Sequence, residues 1–141
     1  MPAPLQLAAA LALSLQTLDG GSFVPPPGEM TVLLFWRADC PPCLIELRHA
    51  QDYVEAAAPG HVLFVGLQEP APLARAAARL GLPETMVVRA PVTVLSGLGK
   101  ALPLSVALDG AGAVCARQEG LLGLDRLRAW KNRCGGNLAR D

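Results

Sequence analysis

The chain has no excess of charge: 12 Lys and Arg balance 12 Asp and Glu over 141 residues, and no run of like charge occurs. A basic stripe for nucleic acid is thereby excluded. It has no apolar run of bilayer length either. Leu5 to Leu15 covers about half of the ~20 residues a membrane-spanning helix needs, contains Gln6 and Ser14, and follows no basic residue. We expect neither a membrane helix nor a signal peptide in this sequence; export would require a signal already removed or a misplaced start. Repeats and low-complexity tracts are missing. Histidine is limited to His49 and His61, twelve residues apart, and Cys40-Pro41-Pro42-Cys43 has no second Cys-x-x-Cys knuckle to complete a structural zinc site.

What is present is a hydrophobic content of 52% with 17% charged residues. A chain of this length buries roughly 65 to 70% of its unfolded surface, so it needs no metal or disulfide to fold. We read an N-terminal extension over 1–12, one domain over 13–141, and a monomer.

Leu11, Leu13 and Leu15 alternate with smaller or polar residues, and Asp19-Gly20-Gly21 follows, which predicts an opening hairpin. The run Thr31 to Trp36 is apolar throughout, as in a strand buried on both faces. From Pro41 to about Ala58, Cys43, Leu47, Ala50, Val54 and Ala57 recur at helical spacing and predict one amphipathic helix with Cys43 inward. Val62 to Leu67 reads as a strand and Pro72 to Leu80 as a helix ending at Gly81. Alternating strands and helices imply parallel pairing with right-handed crossovers. Met86 to Val88 is a short apolar stretch, and Val92 to Leu98 holds one or two helical turns. Leu104 to Leu108, a turn at Asp109-Gly110 and Ala113 to Glu119 form a hairpin, and Leu124 to Arg133 is a closing helix.

The chemistry concentrates at Cys40. Pro41 suits a first helical position, which puts Cys40 at the head of a helix and Cys43 one turn in. Peptide N–H groups there favour an anion, and Cys-x-x-Cys thiols in such places have pKa values lowered to about 3.5 to 7.5. Cys40 is then the nucleophile and Cys43 the resolving thiol. Arg37 stands where a peroxiredoxin-type Thr-x-x-Cys arrangement would need threonine, which disfavours peroxidase chemistry. Soft thiolates also suit copper(I) or zinc, so a metal-binding or delivery module is the alternative, although it lacks an evident third ligand.

The stretch Phe35-Trp36-Arg37-Ala38-Asp39-Cys40-Pro41-Pro42-Cys43-Leu44-Ile45-Glu46 resembles the active-site segment of TlpA/ResA-like thiol-disulfide oxidoreductases of the bacterial extracytoplasmic space. The resemblance runs from about Leu13 onward and takes in Leu102-Pro103 ahead of a strand. It implies a thioredoxin-like α/β fold: a central mixed sheet flanked by helices on both faces, with an N-terminal hairpin. It also implies Glu46 as a buried acid/base, Pro103 as a cis-proline beside the cysteines, and no cofactor beyond the redox-active Cys40–Cys43 disulfide. Partners would be disulfide-containing protein substrates and a membrane or soluble thiol electron donor, with the protein in the periplasm or otherwise outside the cytoplasm.

One departure is Asp39, where the family commonly has tryptophan. Its charge next to Cys40 opposes the thiolate by about half a pKa unit, taking about 7 Å and an effective dielectric of about 60. Trp36 reads as a packing residue near the site, and His49 as solvated or structural. Cys115 and Cys134 stand outside this logic. A strand and a returning helix bring them level, so they are either a stapling disulfide or a core residue and a free thiol.

Overall fold

The computed structural model describes residues 14–135. Leu11 and Leu13 of the expected opening strand, most of the Leu5 to Leu15 segment and the 1–12 extension lie outside these residues. The described chain forms β1 (Gln16–Thr17), β2 (Thr31–Trp36), α1 (Pro41–Leu47), α2 (Ala50–Ala57), β3 (His61–Gly66), α3 (Pro70–Leu80), β4 (Val87–Arg89), β5 (Leu104–Leu108), β6 (Val114–Glu119) and α4 (Leu124–Trp130). Short 3₁₀ turns occupy Glu84–Met86 and Val92–Leu95, and a π-helical turn, Lys131–Gly135, continues α4.

The six strands make one mixed sheet in the order β1-β4-β3-β2-β5-β6. The pairs β2–β3 and β3–β4 are parallel, while β1–β4, β2–β5 and β5–β6 are antiparallel. All six residues of β2 are buried, as its continuous apolar run required. Its alternation divides the core: Val32, Leu34 and Trp36 join one cluster, and Leu33 and Phe35 join the other. No helix among the described residues is long and apolar enough to cross a membrane.

Helical cover on the two faces is unequal. Buried residues of α1, α2, α3 and α4 pack in the first cluster; the second face is closed by Val94 and Leu95 of the 3₁₀ turn, Leu98, Leu15 and Phe23. The crossovers explain this. From β2 to β3 to β4 the chain steps in one direction across the sheet, and right-handed connections then lay both crossovers on the same face. Close seating needs Gly66, where a Cβ would run into Leu73 of α3. Gly81 ends α3 at φ 69°, and Leu82 N–H reaches the Ala77 carbonyl at 3.0 Å, a Schellman closure.

Three boundaries depart furthest from expectation. The single helix over 41–58 is broken at Arg48-His49, whose N–H groups take i−3 partners, Ile45 O at 3.2 Å and Glu46 O at 3.0 Å. Beyond that tightened turn it is Tyr53 that is buried, while Val54 is half-buried. Regular α-helix at the C-terminus stops at Trp130. Pairing in the opening hairpin begins at Gln16, which bridges Ser22 around the expected Asp19-Gly20 turn.

Candidate active site

Cys40 lies beyond the C-terminal end of β2, four residues after Trp36, and the loop between them is braced from below. Arg37 donates from one guanidinium nitrogen to the Leu67 carbonyl at 3.0 Å and grips Asp39 with two others, at 2.9 and 3.2 Å. The backbone N–H of Ala38 donates to Gln68 Oε1. The expectation that Asp39 opposes a thiolate at Cys40 is therefore softened, because Arg37 compensates its charge. The same pairing holds the Asp39 carboxyl below the usual carboxylate range and the Arg37 guanidinium above its own.

Cys40 is the N-cap of α1. Its Sγ accepts the Cys43 N–H at 3.2 Å, and its carbonyl accepts the Leu44 N–H at 3.1 Å. The two cysteines are joined in a disulfide with Cα atoms 5.2 Å apart. Cys40 is half-buried and bordered by exposed Pro41 and Pro42, whereas Cys43 is wholly buried.

One turn after Cys43, Glu46 is fully buried with both carboxylate oxygens occupied. Tyr53 donates its hydroxyl hydrogen to Oε1, and the Leu122 N–H donates to Oε2 at 2.8 Å. Gly123 N–H in turn donates to the Tyr53 oxygen at 3.0 Å. Three segments thus converge on one carboxylate: α1, α2 and the loop that enters α4. Burial above all, and then the bond to Glu46, hold the phenol far above the usual tyrosine range, so it stays a donor.

Leu102–Pro103 is a cis peptide bond and Pro103 is buried. Phe35 pairs with Leu104, so Pro103 comes level with Trp36 at the cysteine end of the sheet, and its carbonyl accepts the Gly120 N–H at 2.8 Å. Trp36 is fully buried, a packing residue whose indole N–H has no partner among the described residues. His49 is exposed, with its ring 6.2 Å from that of Tyr53. Cys115 and Cys134 form a second disulfide, Cα atoms 6.1 Å apart, which ties β6 to the end of the terminal helix. Among the described residues, no group of three or more His, Cys, Asp and Glu side chains is placed to hold a metal ion.

Sequence reasoning brings Cys40, Cys43, Glu46 and Pro103 to this end of the molecule but misses Tyr53, the Arg37 brace, and the N–H groups of Leu122 and Gly123. A signal for Tyr53 exists: it follows Glu46 by seven residues, close to two helical turns, and side chains on a helix lean toward its N-terminus.

No family model matches the chain, and no curated protein sequence matches it. Solved structures do. StoA from Bacillus subtilis is 22% identical, with a TM-score of 0.68 over 84% of this chain and 94% of its own. A secreted Mycobacterium tuberculosis disulfide oxidoreductase homologous to E. coli DsbE is 19% identical, with a TM-score of 0.62 over 86% and 95%. The exposed lipoprotein thioredoxin Etrx1 of Streptococcus pneumoniae is 22% identical, at 0.66 over 84% and 97%. The chain therefore has the thioredoxin-like fold that the resemblance implied.

Proposed function

We propose that this protein is a thiol-disulfide oxidoreductase that reduces disulfides in exported proteins through Cys40 and Cys43. The carrying observation is the asymmetry of the pair: one cysteine half-buried with its sulfur receiving a peptide N–H, its partner wholly buried one turn along α1. In the reduced protein the Cys40 thiolate attacks a substrate disulfide, forms a mixed disulfide and releases the first substrate thiolate. Cys43 gives its proton to Glu46 and attacks Cys40 Sγ. This closes the Cys40–Cys43 bond, expels the second substrate thiolate and delivers two electrons to the substrate. A thiol donor, membrane-bound or soluble, then restores the dithiol. Pro103 flanks the site where a substrate chain must approach. The cycle uses groups of one chain and calls for no organic cofactor.

An extracytoplasmic location is supported by the secreted and exposed neighbours and by the second disulfide, which persists in an oxidising compartment. Trapping with Cys43→Ser protein tests the reading, because a first-step intermediate then cannot resolve. Mixed disulfides through Cys40, and preferential alkylation of Cys40 in the reduced wild type, are expected. Faster alkylation of Cys43 would reverse the roles and sink the mechanism. Stoichiometric metal retained through purification, with Cys40 unreactive until it is stripped, would favour metal binding instead.

A further inference from the structure

We infer that Tyr53 is a positioning residue for the resolving step: its hydroxyl orients the Glu46 carboxylate for proton transfer with Cys43. The inference rests on the exchange reaction proposed above. Its ground is a count of hydrogens. Glu46 Oε1 accepts from the Tyr53 hydroxyl, and Oε2 accepts from the Leu122 N–H at 2.8 Å. Both are donors to an acceptor-only group, which is what an ionised carboxylate is. If Glu46 takes a proton on Oε2, it faces a backbone N–H that cannot turn. If it takes one on Oε1, the phenol must turn to accept it, and the Tyr53 oxygen already receives the Gly123 N–H at 3.0 Å. Either way the hydrogen bonds made to the charged form are weakened, so removing the Tyr53 donor weakens the hold on the carboxylate that receives the Cys43 proton.

Helical spacing selects Cys43 for this role: residues three apart on a helix lie about 5 to 6 Å apart at Cβ, and Cys43 and Glu46 are both fully buried. Cys40 is half-buried, and its Sγ receives a peptide N–H, that of Cys43 at 3.2 Å. Other charged or titratable groups near the cage lie at its margins. Exposed His49 and Asp52 flank Tyr53 in sequence, and Arg126 of α4 reaches only the Leu122 carbonyl, at 3.3 Å. The sheet face beneath contributes apolar side chains and Ser105.

Tyr53 is the one tyrosine of the chain, so replacing every tyrosine with fluorotyrosine alters this position alone. The experiment follows two steps separately as pH varies: attack of Cys40 on a small glutathione-type disulfide, and release of the second thiol by Cys43. Tyr53→Phe should leave the first step unchanged and move the inflection of the second upward by about one pH unit, the scale of a hydrogen bond to a charged group. Fluorotyrosine, a stronger donor that keeps the ring, should move it downward. In a Glu46→Gln background neither change should shift the profile. An unchanged first step shows that the variant is folded. A resolving step whose inflection is the same in wild type, Tyr53→Phe and fluorotyrosine protein overturns the inference while leaving the exchange reaction standing; no exchange by the wild type overturns the reaction itself.

Discussion

The molecule contains the same covalent bond twice, in opposite settings. Cys40–Cys43 closes a loop within one helical turn, beyond the C-terminal end of β2, with one cysteine half-buried and a buried carboxylate one turn on. Cys115–Cys134 spans a separation of 19 residues and joins β6 to the end of the terminal helix, with Cys115 half-buried and Cys134 buried. Cross-linking removes more freedom from the unfolded chain the longer the loop, so the distal bond is the better staple. Exchange needs a sulfur that an attacking thiol can reach, and half-buried Cys40, at the head of α1 with exposed Pro41 and Pro42 beside it, supplies one. Under the proposed function, position and not bond type separates the exchanging disulfide from the staple.

The sharpest way to break that contrast is to remove each bond and read both activity and stability. Cys40→Ser should lower disulfide exchange by roughly 10³-fold or more, the scale of deleting a nucleophile, while intact mass still shows Cys115–Cys134 closed. Exchange that survives this change would move the chemistry elsewhere. Replacing Cys115 and Cys134 together by Ala should do the reverse: urea unfolding should show a loss of about 3 kcal/mol, with exchange close to wild type. A large fall in activity without loss of stability would mean that the staple tunes the site, through the α4 entry loop that holds Glu46.

The smallest effect probes how the reactive sulfur is tuned. Arg37→Ala leaves Asp39 uncompensated, so the pH midpoint for alkylation of Cys40 should rise by about half a unit, while Asp39→Ala should lower it by a similar amount. Both shifts should shrink in high salt, since the pair is exposed. Equal midpoints in the two variants would confine Arg37 to bracing the loop at Leu67.

Much of this contrast is legible in the order of the amino acids. Thr31 to Trp36 reads as a doubly buried strand, Pro41 marks the helix start, and Asp109-Gly110 marks the turn between β5 and β6. These signals are local, because dihedral preference and hydrophobic period act over a few residues. Cys115 and Cys134 are compatible with a bond or with two separate thiols, since the crossing angle of the last helix over β6 has no local signature. Tyr53 escapes such a reading because a single unbroken helix points Val54 inward as well, and only the tightened turn at Arg48-His49 settles which of the two is buried.

The amino-acid order is enough to specify a neutral α/β chain with a Cys-Pro-Pro-Cys helix start after a buried strand and a proline opening the neighbouring strand. Those properties follow from composition, period and the backbone habits of proline and glycine. Three others come from tertiary packing alone: the four α-helices of the described residues share one face, Arg37 reaches the Leu67 carbonyl, and Tyr53 and the Leu122 N–H close on Glu46. The partners in that last cage lie 7 and 76 residues along the chain from the carboxylate. A buried carboxylate must find its donors wherever packing brings them, and packing is a property of the whole core.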